Sequence, residues 1–297
     1  MIRSLALALT GLALSAGVAL ADWQPLLSPP ALATLLEDEE AVILDIRSPG
    51  AYATGHLEGA VNVPYNAWRG PEDNPGALIS EEKLSFLLSE AGIEPEVPVI
   101  VTYAGKGTLD FGSAARVYWT LKSAGVERIA ILNGGLAAWS AAGEALTTAE
   151  GGNFPSDLAF TFSQAWLIDA DGVQAVLDGV RVAQLVDARP EAFFAGVKTH
   201  EKAAWPGTLS GAVNIVHEAW FGGNVLNADR EDVLASLASA GIDAQAAPIV
   251  SFCNTGHWAA TNWFVLSEIA GIEGVKLYPE SMVGWTRASG KVAQLAH

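Results

Sequence analysis

Short apolar runs alternate with longer amphipathic segments along most of this chain. Runs at 41–45, 98–103 and 129–132 are rich in Val, Ile and Leu and bounded by turn-forming residues, so they predict buried strands. Segments at 81–91 and 112–124 predict helices between and after them. The order then returns, with strands predicted at 182–187, 248–252 and 275–278 and helices at 230–240 and 259–270. Such alternation predicts α/β units, each a mostly parallel sheet flanked by helices, with ligands held beyond the carboxyl ends of the strands.

The return is also one of residues. Val42-Ile-Leu-Asp45-Ile-Arg47 reappears as Gln184-Leu-Val-Asp187-Ala-Arg189, and Gly59-Ala-Val-Asn62 as Gly211-Ala-Val-Asn214. Ala91-Gly-Ile93 matches Ala240-Gly-Ile242, and Pro98-Val-Ile-Val-Thr-Tyr-Ala104 matches Pro248-Ile-Val-Ser-Phe-Cys253. Gly135-Leu-Ala-Ala-Trp139 matches Ser281-Met-Val-Gly-Trp285. Matched blocks in one order make this a tandem repeat. The polar, Gly/Pro-punctuated stretch after Leu146 reads as the linker, which predicts domains at 22–145 and 160–297 joined by 146–159.

The copies differ where chemistry would lie. Cys253 is the single cysteine of 297 residues, and the first copy has Ala104 in its place. Cys253 is predicted on a tight loop between a strand end and a helix start, where converging N–H groups and the helix N-terminus favour a thiolate, the nucleophilic form. The bland alternative is a buried, inert thiol. Alanine carries no covalent chemistry, so the first copy is expected to be a structural half that covers or shapes the site of the second.

Composition narrows the setting. Arg3, the apolar run from Leu5 to Ala21 and the small residues Ala19-Leu-Ala21 read as an export signal at 1–21, which predicts an exported chain, periplasmic in a bacterium. The net charge is −17, which argues against nucleic acid and anionic membrane surfaces as partners. An anionic substrate would need a local positive site within that negative field.

Together these blocks resemble the tandem, two-domain type of the rhodanese family of sulfurtransferases. The carriers are Asp45-Ile-Arg47 with Asp187-Ala-Arg189, Gly55-His56-Leu-Glu-Gly59, Leu132-Asn-Gly-Gly135 and the Cys253 loop, and they span nearly the whole chain. The resemblance implies two rhodanese-like domains, the first without the catalytic cysteine. It implies sulfane-sulfur transfer from a donor such as thiosulfate, through a Cys253 persulfide, to an acceptor such as cyanide or a thiol, with no metal or organic cofactor. The active loop of that family runs from cysteine through glycine to a small residue, and Cys253, Gly256 and Ala259 fit it. Thiosulfate-type loops carry basic residues after the cysteine and mercaptopyruvate-type loops carry Gly-Ser; Asn254-Thr255 matches neither.

The site is expected to comprise Cys253 as nucleophile, with Asn254, Thr255, Gly256, His257, Trp258 and Ala259 lining the substrate pocket. Arg189 reads either as the grip on a donor sulfonate or as an ion pair with Asp187 that braces the fold. Asp187 reads as orienting Arg189 or the loop, or as structural. His257 tunes the pocket or is a loop histidine facing solvent, and Trp258 walls the pocket or packs. His200 and His217 are further candidates for the cleft. The competing functions are a 3-mercaptopyruvate-type sulfurtransferase and a persulfide carrier serving a protein partner. A Cys-x5-Arg phosphatase is disfavoured, because Ala259 stands where the arginine would be.

Overall fold

The first domain runs through β1 (Leu26–Leu27), α1 (Pro29–Asp38), β2 (Val42–Asp45), α2 (Pro49–Ala53), β3 (Val61–Asn62), α3 (Glu81–Glu90), β4 (Val99–Thr102), α4 (Thr108–Ser123), β5 (Ile129–Leu132) and α5 (Gly135–Ala141). Every residue of β2, β4 and β5 is buried. This is why these strands read as continuous apolar runs and not as alternation: both faces of a parallel sheet are covered. The order is β1-β5-β4-β2-β3, with all pairs parallel.

The second domain runs through α6 (Ala170–Leu177), β6 (Gln184–Asp187), α7 (Glu191–Phe194), β7 (Val213–Asn214), a β8–β9 hairpin (Phe221–Gly222 and Val225–Leu226), α8 (Arg230–Ser239), β10 (Ile249–Phe252), α9 (Trp258–Phe264), β11 (Lys276–Leu277) and α10 (Ser281–Arg287). Its sheet, β11-β10-β6-β7, is parallel, and Leu167 bridges Leu277 where β1 pairs with β5 in the first copy. The two copies therefore share one topology. This computed structural model describes residues 23–152 and 155–293. The export signal expected at 1–21 lies outside the described residues, as do two residues of the expected linker. No helix among the described residues is long and apolar enough to cross a membrane.

The helices after the two equivalent strands, α4 and α9, pack on each other. Tyr118 meets Phe264 edge-on at 4.9 Å, and Phe111 meets Phe264 at 5.5 Å. Tyr118 donates to Glu268 Oε2 at 2.7 Å, and Lys122 pairs with the same carboxylate at 2.7 Å. The largest buried apolar cluster runs unbroken from Val42 in one domain to Leu277 in the other, so the domains share a core.

Two helix expectations need correction. Helix α4 starts at Thr108, not 112, and Asp110 in its first turn accepts the Lys106 N–H at 2.9 Å. Gly112 therefore lies inside the helix and not at its first position. A Cβ there would stand 2.7 Å from His257 Nε2, so glycine is what lets the two domains close. The segment predicted as one helix at 259–270 is α9 followed by a π-helical turn at Val265–Ile269. The stretch read as a linker lies along the first domain: Thr147 pairs with His56 through both backbone groups, and Ser156 binds Ser89 and Ile93.

Candidate active site

Cys253 leaves β10 at its carboxyl end and is 1% exposed. Its N–H donates to Ser281 Oγ at 2.9 Å and its carbonyl accepts the Met282 N–H at 3.0 Å. The next carbonyl, of Asn254, accepts the Val283 N–H at 2.9 Å. The loop is thus seated on the start of α10. Ser281 is fully buried and holds φ at +52°, a left-handed conformation that a non-glycine residue adopts at a cost. Its hydroxyl donates to Tyr278 O at 2.8 Å while accepting from Cys253, which defines where the strand ends and the thiol begins.

The outer side of the loop is gripped by the first domain. Arg69 Nη2 donates to Thr255 O at 2.7 Å, and Arg116 Nη1 donates to Gly256 O at 3.3 Å. Arg116 Nη2 also reaches Gly76 O at 3.0 Å. Because the carbonyl and the following N–H of one peptide point oppositely, these contacts turn the N–H groups of Gly256 and His257 away from the arginines. Gly256 holds φ at +69°, and a Cβ would lie 2.3 Å from both Arg116 Nη1 and Pro279 O, so both conformation and space require glycine here.

His257 does not face solvent. Its half-buried ring is wedged between the domains: Tyr65 O–H donates to Nδ1 at 2.9 Å, and Nε2–H donates to Leu109 O at 2.7 Å. Burial, followed by the nearby Arg69 cation, lowers its pKa to about 3, so the ring is neutral at physiological pH. Arg116 is lowered to about 9, mainly by burial and then by Arg69, while Tyr65 and the Cys253 charge oppose the shift. Burial raises Tyr65.

Arg189 is buried and committed. Nε and Nη2 bind Asp187, at 2.6 Å for the shortest contact, and Nη2 also binds Gly207 O at 2.9 Å. Only Nη1 turns to the loop, meeting Asn254 Oδ1 at 3.4 Å. Asp187 additionally accepts the Arg189 N–H at 3.0 Å and the Thr208 hydroxyl at 2.7 Å. Of the two readings of Arg189, this geometry fits the brace, and through Asn254 the brace reaches the cysteine loop. Asp45 and Arg47 repeat the pattern in the first domain.

His217 stacks on Trp258 at 5.0 Å, and Phe193 meets the same indole at 5.9 Å. The carbonyl of Ala259 accepts from Ser251 Oγ at 2.9 Å, tying α9 to β10. His200 makes none of these contacts; its Nδ1 takes the Lys202 N–H at 3.2 Å. No group of three or more His, Cys, Asp or Glu able to hold a metal occurs among the described residues.

The polar groups left over are concentrated at this site. Among the described residues ten buried side-chain N and O atoms lack a partner, and five of them ring the loop: Arg69 Nη1, Arg116 Nε, His217 Nε2, Asn254 Nδ2 and Trp258 Nε1. Among the described residues no group accepts from the N–H groups of Asn254 to Ala259. Four of the five side-chain atoms are donors, since His217 Nδ1–H donates to Ala188 O and leaves Nε2 an acceptor. Unmade buried donors are rare in folded proteins, and four around one thiol suit an anionic ligand.

Sequence reasoning assigned no role to Tyr65, Arg69, Arg116 or Ser281. The first three lie in the copy without the cysteine, and no local pattern sets them apart. Ser281 carried the one available signal, since it aligns with Gly135, which also has positive φ in the first copy.

The comparisons agree with this geometry. The Rhodanese-like domain profile matches residues 28–142 and again 169–288. A putative thiosulfate sulfurtransferase of Synechococcus elongatus is 30% identical over 277 residues, covering 88% of this chain and 82% of that protein. A thiosulfate sulfurtransferase of Azotobacter vinelandii is 30% identical over 263 residues, covering 88% and 94%. The 3-mercaptopyruvate sulfotransferase SseA of Escherichia coli superposes with a TM-score of 0.72 at 26% identity, over 87% of this chain and 98% of that one. An anaerobic ergothioneine biosynthesis enzyme from Chlorobium limicola shares the fold, with a TM-score of 0.80 at 19% identity over 92% of this chain and 71% of that one. With the domain found twice and a cysteine only in its second copy, the chain belongs to the rhodanese family as a two-domain sulfurtransferase.

Proposed function

We propose that Cys253 is the sulfur-carrying nucleophile and that thiosulfate is its donor. The observation that carries this reading is the placement of the lone thiol at the exit of β10, below a loop whose six successive N–H groups have no acceptor among the described residues. The thiolate attacks the outer sulfur of thiosulfate, the donor S–S bond breaks, and its electron pair leaves with sulfite. The Cys253 persulfide then gives its outer sulfur to cyanide or a thiol, regenerating the thiolate. Free loop N–H groups stabilise the negative charge on the outer sulfur. Asn254 is oriented by Arg189, Gly256 supplies the loop conformation, and Trp258 with His217 walls the pocket. Neutral His257 holds the loop against the first domain.

Intact mass tests the reading. Protein incubated with thiosulfate and desalted should gain one sulfur atom, lose it to cyanide as thiocyanate, and show no gain as Cys253→Ala. A gain from mercaptopyruvate alone would instead assign the donor class of the Escherichia coli neighbour. A persulfide stable to cyanide and small thiols would favour a protein acceptor.

The chain is also proposed to be exported, and periplasmic in a bacterial cell, on the strength of Arg3, the apolar stretch to Ala21 and the small residues that end it. Mature protein in an osmotic-shock fraction, with its N-terminus near Asp22, is the expected result; full-length protein in the cytosol would refute export.

A further inference from the structure

We propose that Arg69 and Arg116, both contributed by the domain without the cysteine, form the anion subsite that takes the sulfonate end of the sulfur donor. This rests on the sulfur-transfer reading above and names the residues that recognise its substrate.

The cations otherwise at hand do not serve. Residues 254–259 contain no Lys or Arg. The guanidinium of Arg189 is neutralised by Asp187. His257 is occupied on both ring nitrogens, by Tyr65 and Leu109. Arg69 and Arg116 remain, and both touch the cysteine loop.

These two are also unbalanced. Ion pairs among the described residues involve Arg47, Lys122, Arg128, Arg189, Lys202 and Arg287, but neither Arg69 nor Arg116. Arg116 is 1% exposed, and Arg69 disfavours its charged form. Carbonyl oxygens and the faces of Trp119, at 5.1 Å, and Tyr65, at 5.3 Å, partly solvate the cations. A buried cation without a carboxylate is expensive unless an anion joins it. Arg69 Nη1 and Arg116 Nε are both buried and without an acceptor among the described residues, so each arginine keeps one donor nitrogen unused.

The reaction supplies the missing charge. A thiolate and the thiosulfate dianion bring three negative charges into one pocket. The transfer leaves three, one on the persulfide and two on sulfite. The chain as a whole carries −17, so nothing remote attracts such a donor. Two guanidinium groups cut the local sum to one. The cysteine-less domain then supplies the cations that the loop lacks and is half of the active site.

The test is calorimetric titration of the Cys253→Ala protein with thiosulfate, and separately with sulfate, in backgrounds carrying Arg69→Gln, Arg116→Gln or Arg69→Lys. Folding of each is checked by circular dichroism and thermal melting. Each Gln variant should bind both anions about 10- to 100-fold more weakly, the loss of a charged hydrogen bond, and Arg69→Lys should recover part of the affinity. With Cys253 present, the KM for thiosulfate should rise by more than kcat falls. If Arg116→Gln does not fold, the two Arg69 variants decide. Unchanged anion affinity in folded Arg69→Gln overturns the subsite, as does a parent protein that binds neither anion. If the wild type takes no sulfur from thiosulfate, the donor reading fails alone; sulfate binding that depends on Arg69 still upholds the subsite, and sulfate binding independent of it removes the subsite.

Discussion

Gly112→Ala sets local propensity against tertiary packing, and the two disagree in sign. Inside a helix, alanine is favoured over glycine by about 1 kcal/mol, so helix propensity alone expects stabilisation. The structure expects the reverse. The added Cβ would lie 2.7 Å from His257 Nε2, 2.8 Å from Cδ2 and 3.2 Å from the His257 carbonyl. Ordinary contact would require the ring to move by about 1 Å. The ring is not free to do so, being held at 2.7 Å to Leu109 O and 2.9 Å to Tyr65. Overpacking of this kind costs about 1–3 kcal/mol, and losing one hydrogen bond adds about 1 kcal/mol. After the propensity gain, a net loss of about 1–3 kcal/mol remains. For a chain of this size that lowers Tm by roughly 2–4 °C per kcal/mol. The assay is urea unfolding of wild type, Gly112→Ala, His257→Ala and the double variant. With the ring removed, Gly112→Ala should become neutral or stabilising, giving a coupling of about 2 kcal/mol. A Gly112→Ala protein at least as stable as wild type, with His257 intact, would refute the argument that glycine is there to admit the ring.

Other consequences follow from the same geometry. Asp187→Ala strands a buried Arg189 and should cost about 3–5 kcal/mol in urea unfolding. Asp45→Ala should cost less, because Arg47 is more exposed (12% against 3%) and can turn to water. His257 titrates lower in the folded chain, at about 3, than its unfolded value near 6.5, so the unfolded state binds the extra proton between these limits. Its contribution is therefore complete above about pH 6.5 and is lost as pH falls toward 3. Tm measured from pH 4 to 7 should accordingly fall less steeply on acidification in His257→Gln than in wild type, and equal slopes would contradict the assignment. Tyr65→Phe removes the donor to Nδ1 and should destabilise by about 1 kcal/mol, an effect that should vanish in the His257→Ala background.

The strands β2, β4, β5, β6 and β10 were legible because residues buried on both faces leave an apolar run that no other element mimics at that length. The order of matched blocks then gave the tandem architecture, and the replacement of Cys253 by Ala104 told which half carries the thiol. Helices α1 and α2 went unpredicted, although Ser28-Pro29 and Ser48-Pro49 stand at their starts, where each serine accepts an N–H three residues on. Less was legible where one residue has two physical meanings. Gly112 gave no sign of what it admits because its partner, His257, lies 145 positions away in sequence. His257 looked like a surface residue because its loop is polar, and only the packing of α4 on α9 encloses it.

The sequence by itself determined the family, the repeat, the strand framework and which copy carries the lone thiol, since each is written in local periodicity or in residues that recur in order. It did not determine what surrounds the nucleophile. Arg69 and Arg116 reach the loop across 186 and 140 residues, and Tyr65 across 192, so no local pattern marks them. Which arginine is neutralised and which is left without a counter-charge depends on the distance to a carboxylate, a property of the packed chain alone. Arg47 and Arg189 carry their carboxylate two residues upstream, and the tertiary structure leaves Arg69 and Arg116 without one, against the carbonyls of the cysteine loop.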